Sequence, residues 1–279
     1  MSVWESPAKV NLSLEVGPLA ANGYHPVRSL AMSLDWCDLI RFEEADEDEL
    51  VISGADLPDG GENLIWKAIG TKRKPDGRPQ LHIELEKSIA VSAGLGGGSS
   101  NAATTLAAWA DMTGGEASLE EAAGIGADVA FFLKGGLQWM EGYGERLTNS
   151  KVRPELAVAV VVPPFELATR EVYERWDRLG EPKGPSLDGR QLPPSLRALG
   201  PFRNDLTPAA VDLRPELGDF IEDLRQRWGQ PVMMTGSGPA LFTWLSDVGE
   251  AESAIDAAPR ESRSVRAAHL RPIGVDRIE

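Results

Sequence analysis

From residue 8 to residue 16 apolar and polar side chains alternate without a break: Ala8, Val10, Leu12, Leu14 and Val16 share one parity, Lys9, Asn11, Ser13 and Glu15 the other. A period of two predicts a half-buried strand with one face in the core. The patterning predicts further strands over 27–34, 38–43 and 81–86, and a helix over 63–71 ahead of the turn-rich Lys74-Pro-Asp-Gly-Arg-Pro79. The main helix of the first half is predicted over 99–112, and Ser118-Leu-Glu-Glu121 fits a capping box that opens a shorter one. The pattern lapses at Asn149-Ser-Lys-Val-Arg-Pro154, which predicts two domains, 1–150 and 151–279. Beyond it, the apolar run 156–162 reads as a buried strand ended by Pro163-Pro164. Helices are predicted over 169–178, 215–227 and 248–257, and strands near 232–235, 240–245 and 265–270. Residues 180–201, rich in Pro and Gly, read as a long surface loop. There is no internal repeat, and the sum is an α+β protein.

One segment of the first half fits neither period. Ala93-Gly-Leu-Gly-Gly-Gly-Ser-Ser-Asn-Ala-Ala-Thr104 carries four glycines in its first six residues and runs straight into predicted helix. Glycine allows positive φ and lets backbone approach a ligand with no Cβ in the way. The helix behind leaves its first amide N–H groups unpaired and aimed at the loop, and aligned peptide dipoles add about half a positive charge there. Such a loop suits a phosphate, with Ser99 and Ser100 offering hydroxyls to a phosphate oxygen or to Mg²⁺. A Walker A loop is excluded, because Ser99 rather than lysine follows Gly98. The dinucleotide fingerprint G-x-G-x-x-G, counted from Gly94, puts its last glycine on Ser99 and fails as well. The plain alternative is a flexible helix cap, for which one or two glycines suffice.

Composition narrows the class. Hydrophobic residues make up 42% of the 279, yet no stretch approaches the roughly 20 apolar residues of a membrane span. The start, Met1-Ser-Val-Trp-Glu-Ser-Pro7, lacks the basic and apolar regions of a signal peptide, so a cytoplasmic protein without a membrane partner is expected. A lone Cys37 cannot form an internal disulfide and reads as a packing residue. The formal charge of −15 argues against nucleic acid as a partner, since that needs clustered Lys and Arg. It stays compatible with an anionic small substrate held by a few basic groups, glycine amides and a metal ion. The acidic run Glu43-Glu-Ala-Asp-Glu-Asp-Glu49 reads as a solvated tip, and His25, His82 and His269 show no zinc-ligand spacing, so no protein metal centre is predicted.

Four places carry chemistry of their own. Lys9 shares the polar parity of the first strand with Asn11: alone it reads as solvated, beside the loop as a positive group for a hydroxyl or phosphate. Asp128, in Ile125-Gly-Ala-Asp-Val-Ala-Phe-Phe-Leu133, fits either a helix N-cap or a carboxylate held in a turn and free to accept a proton. Asn22-Gly-Tyr-His25 predicts a turn displaying Tyr24 and His25, suited to a planar base. Thr235-Gly-Ser-Gly-Pro239 is either a plain hairpin or a second set of amides for a phosphate.

In order along the chain, Pro7-Ala-Lys-Val-Asn-Leu12, the Gly/Ser loop, Gly126-Ala-Asp128 and Thr235-Gly-Ser-Gly238 resemble the GHMP kinases, over nearly the whole length. Gly23-Tyr-His25, Ala93 to Ala103, Gly126-Ala-Asp-Val129 and Asn204-Asp-Leu206 resemble the branch that phosphorylates a cytidyl-linked alcohol. The resemblance implies an N-terminal domain like ribosomal protein S5 domain 2 and a ferredoxin-like C-terminal domain, with ATP, Mg²⁺ and substrate between them. It implies ATP-dependent phosphorylation of the C2 hydroxyl of a cytidine diphosphate-linked methylerythritol, in the non-mevalonate route to isoprenoid precursors. It also implies roles: Asp128 as catalytic base, Lys9 as catalytic lysine, Asn11 as a substrate contact, Tyr24 and His25 as cytosine contacts, and Thr169 and Tyr173 as further substrate contacts. Ala90, Val91, Ser92, Ala93, Gly94, Leu95, Gly96, Gly97, Gly98, Ser99 and Ser100 correspond to the ATP loop. Ala90, Ala130 and Asn22 depart from the usual proline, proline and aspartate, and none of the three removes a group that the chemistry needs. The chain is expected to act as a monomer or homodimer. Two other readings stay open: a kinase of homoserine or mevalonate type, and a non-catalytic nucleotide-binding regulator, which would have no need of Lys9 and Asp128.

Overall fold

Strand β1 (Ser2–Val16) extends the alternation toward the chain start. The computed structural model describes residues 1–71 and 79–279, so the predicted turn from Lys74 lies outside the described residues up to its final Pro79. Ala8, Val10 and Leu12 are fully buried, but Lys9, Asn11 and Ser13 on the other parity are buried too. The strand expected to be half-buried is covered on both faces.

Its partner β2 (Val27–Ala45) is one strand of 19 residues where two were expected. Residues 35–37 contain no glycine or proline to break an extended chain, and Trp36 packs inward. The irregularity sits in β1 instead, where the register shifts between Pro7 and Lys9 and again between Asn11 and Ser13. Such bulges bend a strand and re-aim its side chains.

The acidic run forms the tip between β2 and β3 (Glu49–Ser53). Helix α1 (Leu64–Thr71) is opened by Asn63, whose Oδ1 accepts from the Ile65 amide at 3.0 Å. Strand β4 (Gln80–Glu86) lies between β2 and β3, antiparallel to the first and parallel to the second. Helix α2 (Gly97–Thr113) follows the glycine loop, and α3 (Leu119–Ile125) starts with the expected capping box from Ser118 and Glu121. Then come α4 (Val129–Lys134) and the hairpin of β5 (Leu137–Gly142) and β6 (Arg146–Asn149), with β5 paired to the other end of β2.

The second sheet begins with β7 (Ala157–Val162), buried along its whole length. It is followed by α5 (Thr169–Arg178), α6 (Thr207–Leu213), α7 (Pro215–Trp228), β8 (Met233–Met234), β9 (Leu241–Leu245), α8 (Val248–Asp256) and β10 (Ser264–His269), in the strand order β10-β7-β9-β8. The stretch 180–201 is not a surface loop throughout. It contains two short 3-10 turns, and Leu187, Leu192 and Leu196 drop into the core.

Finally β11 (Asp276–Arg277) returns to the first sheet and pairs with β1. Val10, Leu12 and Leu34 of the first sheet share one apolar cluster with Val158, Val160 and Phe242 of the second, so the sheets are packed on each other. Cys37 is a packing residue: burial pushes its thiol up to about 12, although Arg271 Nη1 lies 3.4 Å from the sulfur. Among the described residues no helix is long and apolar enough to cross a membrane.

Candidate active site

A cleft of about 1550 Å³ is lined by the glycine loop, the polar face of β1, the turn before α4, the start of α5 and the turn at 236–237. Gly94 and Gly96 are held at φ +79° and +74°. A Cβ would meet the Thr235 carbonyl oxygen at 2.4 Å on the first and the Phe132 ring at 2.7 Å on the second, so only glycine fits. The loop is fixed from both sides: the Lys9 amide donates to Leu95 O at 2.9 Å, and the Ala240 amide to Ala93 O at 3.1 Å. Its flank is tied to the second sheet by Arg263, whose Nη2 donates to Val91 O at 2.6 Å.

Gly96 caps α2 without any side-chain hydrogen bond. The amides of Gly97, Gly98 and Ser99 are therefore the unpaired first donors of a long helix, and all three residues line the cleft. That donor set fits a polyphosphate. Ala90, Val91, Ser92 and Gly94 line it as well, while the side chains of Ala93 and Leu95 enter the core. Ser100 turns away: it is buried and accepts from Ser6 Oγ at 2.9 Å, which withdraws its hydroxyl from the cleft. Among the described residues no three acidic, His or Cys side chains gather as a metal site.

Lys9 and Asp128, 119 residues apart in sequence by their numbers, meet at the end of this cradle, with Nζ 3.4 Å from Oδ2. Lys9 is 4% exposed, and its Nζ also donates to Asn11 Oδ1 at 2.5 Å. Asn11 is held in turn, donating through Nδ2 to Ser29 Oγ at 2.7 Å and through its backbone N to Thr235 Oγ1 at 2.9 Å. Asp128 occupies the N-cap position of α4 but makes no side-chain capping bond. Its carboxylate is left facing the ammonium and the open cleft, a proton acceptor beside a fixed positive charge.

Behind the loop lies a network that sequence reading missed. Lys87 forms a buried ion pair with Asp38 and donates to Asn101 Oδ1 at 3.2 Å. Asp38 Oδ1 accepts from the Ser88 and Ile89 amides at 2.8 Å each, and Asn101 Nδ2 donates to Asp38 Oδ2 and to Ser6 Oγ. A signal was present: Lys87 continues the buried parity of Leu81, Ile83 and Leu85, and Asp38 that of Trp36, Ile40 and Phe42.

At the far end the expected pair of rings separates. Tyr24 is 68% exposed at the mouth, but the His25 ring is packed into the second sheet's helices, stacked on Tyr173 at 5.3 Å and edge-on to Trp176 at 5.5 Å. Its Nδ1 donates to Gly17 O at 3.0 Å, and Nε2 lies 3.4 Å from Asp177 Oδ2. The turn displays the tyrosine and buries most of the imidazole. Burial and the charge of Asp128 push the Tyr173 phenol up, so it is a protonated donor at neutral pH. Thr169 Oγ1 and Ser237 Oγ are 2.8 Å apart, which ties α5 to the second glycine turn. Gly236 and Ser237 line the cleft, so that turn is part of the site rather than a remote hairpin.

Comparison with known proteins gives consistent results. Residues 63–136 match the family described as GHMP kinases N terminal domain. The 4-diphosphocytidyl-2-C-methyl-D-erythritol kinase of Pelotomaculum thermopropionicum is 35% identical over 273 residues, covering 92% of each chain. A crystal structure of 4-(cytidine 5'-diphospho)-2C-methyl-D-erythritol kinase superposes with a TM-score of 0.77 at 30% identity, covering 96% of this chain and 98% of that one. Homoserine kinase from Cytophaga hutchinsonii superposes with a TM-score of 0.69 at 17% identity over 99% and 97% of the two chains, a likeness of fold alone.

Proposed function

The chain belongs to the 4-diphosphocytidyl-2-C-methyl-D-erythritol kinases of the GHMP kinase family, and on that premise we propose how its residues divide the work. The family reaction moves the γ-phosphoryl group of ATP to an alcohol, here the C2 hydroxyl of 4-diphosphocytidyl-2-C-methyl-D-erythritol, in the non-mevalonate route to isoprenoid precursors. Asp128 accepts the hydroxyl proton as the oxygen attacks phosphorus and ADP departs. Lys9 keeps positive charge beside the ionised carboxylate and the developing alkoxide, with Asn11 fixing its position. The amides of Gly97, Gly98 and Ser99 hold the phosphates. Mg²⁺, when bound, would neutralise phosphate charge, and Ser99, which lines the cleft, would offer it a hydroxyl of the loop. Tyr24, His25, Thr169 and Tyr173 orient the substrate at a distance from the reacting atom. Residues 1–150, joined by the returning strand β11, form one lobe in this reading and the rest of 151–279 the other, and the enzyme works in the cytoplasm as a monomer or homodimer.

The observation that carries the proposal is the Lys9–Asp128 pair at the end of the helix-backed cradle. ATP-dependent ADP release is to be measured with the cytidyl substrate, homoserine and mevalonate. Turnover is expected on the first alone. Asp128→Asn should lower kcat by roughly 10²–10⁴-fold with ATP affinity nearly unchanged. Near-normal kcat in that variant would remove Asp128 from the chemistry.

A further inference from the structure

The mouth of the cleft carries exposed apolar surface that the transfer machinery does not use. Leu19, Tyr24 and Tyr143, with exposures of 56%, 68% and 39%, all line it. Exposed aromatic rings gathered at a cleft mark a binding surface more often than an accident of composition. Tyr143 sits at the tip of the β5–β6 hairpin, flanked by Gly142 at φ +73° and Gly144 at φ +111°. Its amide donates to Glu145 Oε2 at 2.6 Å, which fixes the tip. A Cβ on Gly144 would come within 2.7 Å of Ala127 O, so the hairpin presses on the residue next to Asp128. From there Tyr143 reaches Tyr24 with ring centroids 6.1 Å apart and planes at 65°, an edge-to-face contact.

We propose that Tyr143 is a substrate-positioning residue: it braces the Tyr24 ring edge-on, so that the open face of Tyr24 is oriented before the flat nucleobase of the substrate stacks on it. A free tyrosine on a turn samples several rotamers, and a binding partner must select one of them. A ring already braced has lost that freedom before the ligand arrives. The same hairpin presses on the turn that holds Asp128, so the nucleobase end and the reacting end are referred to one rigid element. The inference rests on the reading of Tyr24 as a nucleobase contact.

The test uses the intact enzyme, with KM for 4-diphosphocytidyl-2-C-methyl-D-erythritol, KM for ATP and inhibition by CMP measured in Tyr143→Ala, Tyr143→Phe, Tyr24→Ala and the double alanine variant. Tyr143→Ala is expected to raise KM for the cytidyl substrate and the inhibition constant of CMP about three- to tenfold, leaving KM for ATP unchanged. Tyr143→Phe should recover most of the loss, since it keeps the ring that meets Tyr24. The double variant should be no worse than Tyr24→Ala alone, because the brace acts only through that ring. If Tyr24→Ala weakens substrate and CMP while Tyr143→Ala does not, the brace is wrong and the nucleobase site stands. If neither variant moves them, the nucleobase reading of the mouth fails and the brace with it.

Discussion

Ser92 has φ +53°, a left-handed backbone that an L side chain adopts at a cost of roughly 1–2 kcal/mol. It stands in the flank of the glycine loop, between the Arg263-bound Val91 and the glycines. Ser92→Gly relieves that cost, while the greater freedom of glycine in the unfolded chain offsets about 0.5–1 kcal/mol of the gain. A stability increase of up to about 1 kcal/mol is expected, read as a thermal midpoint about 2 °C higher. A lower midpoint would mean that the serine side chain makes a compensating bond. At this scale the sequence was informative wherever the chemistry needs an unusual residue type. The glycines at 94 and 96–98 stood out because a helix cap needs only one or two, whereas Lys9 and Asp128, which a solvated strand face and a helix N-cap would also explain, were singled out by the family resemblance. The fate of Ser100 and His25 could not be read, because both depend on what packs across from them: Ser6 for the first, Tyr173 and Trp176 for the second.

Elements hold these residues through contacts of their own, and the Lys87–Asp38 pair is the plainest case. It joins β2, the end of β4 and the start of α2, with both side chains nearly inaccessible. Removing one partner of a buried pair leaves an uncompensated charge, which costs roughly 3–5 kcal/mol. Lys87→Met should therefore lower the urea midpoint severely, and adding Asp38→Asn should restore part of the loss by removing the stranded carboxylate. Equal destabilisation in single and double variants would show that packing, not charge, is what the pair supplies. Element existence was legible where the pattern was distinct, as in the long alternation of β1 and the unbroken apolar run of β7. The merger of two expected strands into β2 was not, because an extended chain through 35–37 needs a partner strand that local sequence does not show. The short β5–β6 hairpin and α6 escaped for a different reason: each has too few turns or alternations to carry a period.

Across the whole molecule, the last residues form a strap. Arg271 pairs with Glu5, the Val275 amide donates to Phe132 O at 2.9 Å, Trp4 faces Arg277 in the ladder, and the Val3 amide donates to Glu279 O at 3.1 Å. Where the strap crosses the end of α4, a Cβ on Gly274 would lie 1.8 Å from Phe132 O. The oxygen is a backbone atom and a Cβ is fixed rigidly to its own backbone, so neither can swing aside. Gly274→Ala is expected to destabilise the fold by about 3 kcal/mol or more, with the loss appearing in the first sheet as well as the strap. A midpoint within a degree of the parent would show that the strap yields at little cost. Translation gives this strap one more meaning. Synthesis runs from the N-terminal side, yet the edge of β1 around Val3, Trp4 and Glu5 is closed by residues 276–279, which are made after the entire second sheet. The first residues of the strand that carries Lys9 thus emerge from the ribosome with an unpaired edge, exposed to other strands for most of the time the chain is being built.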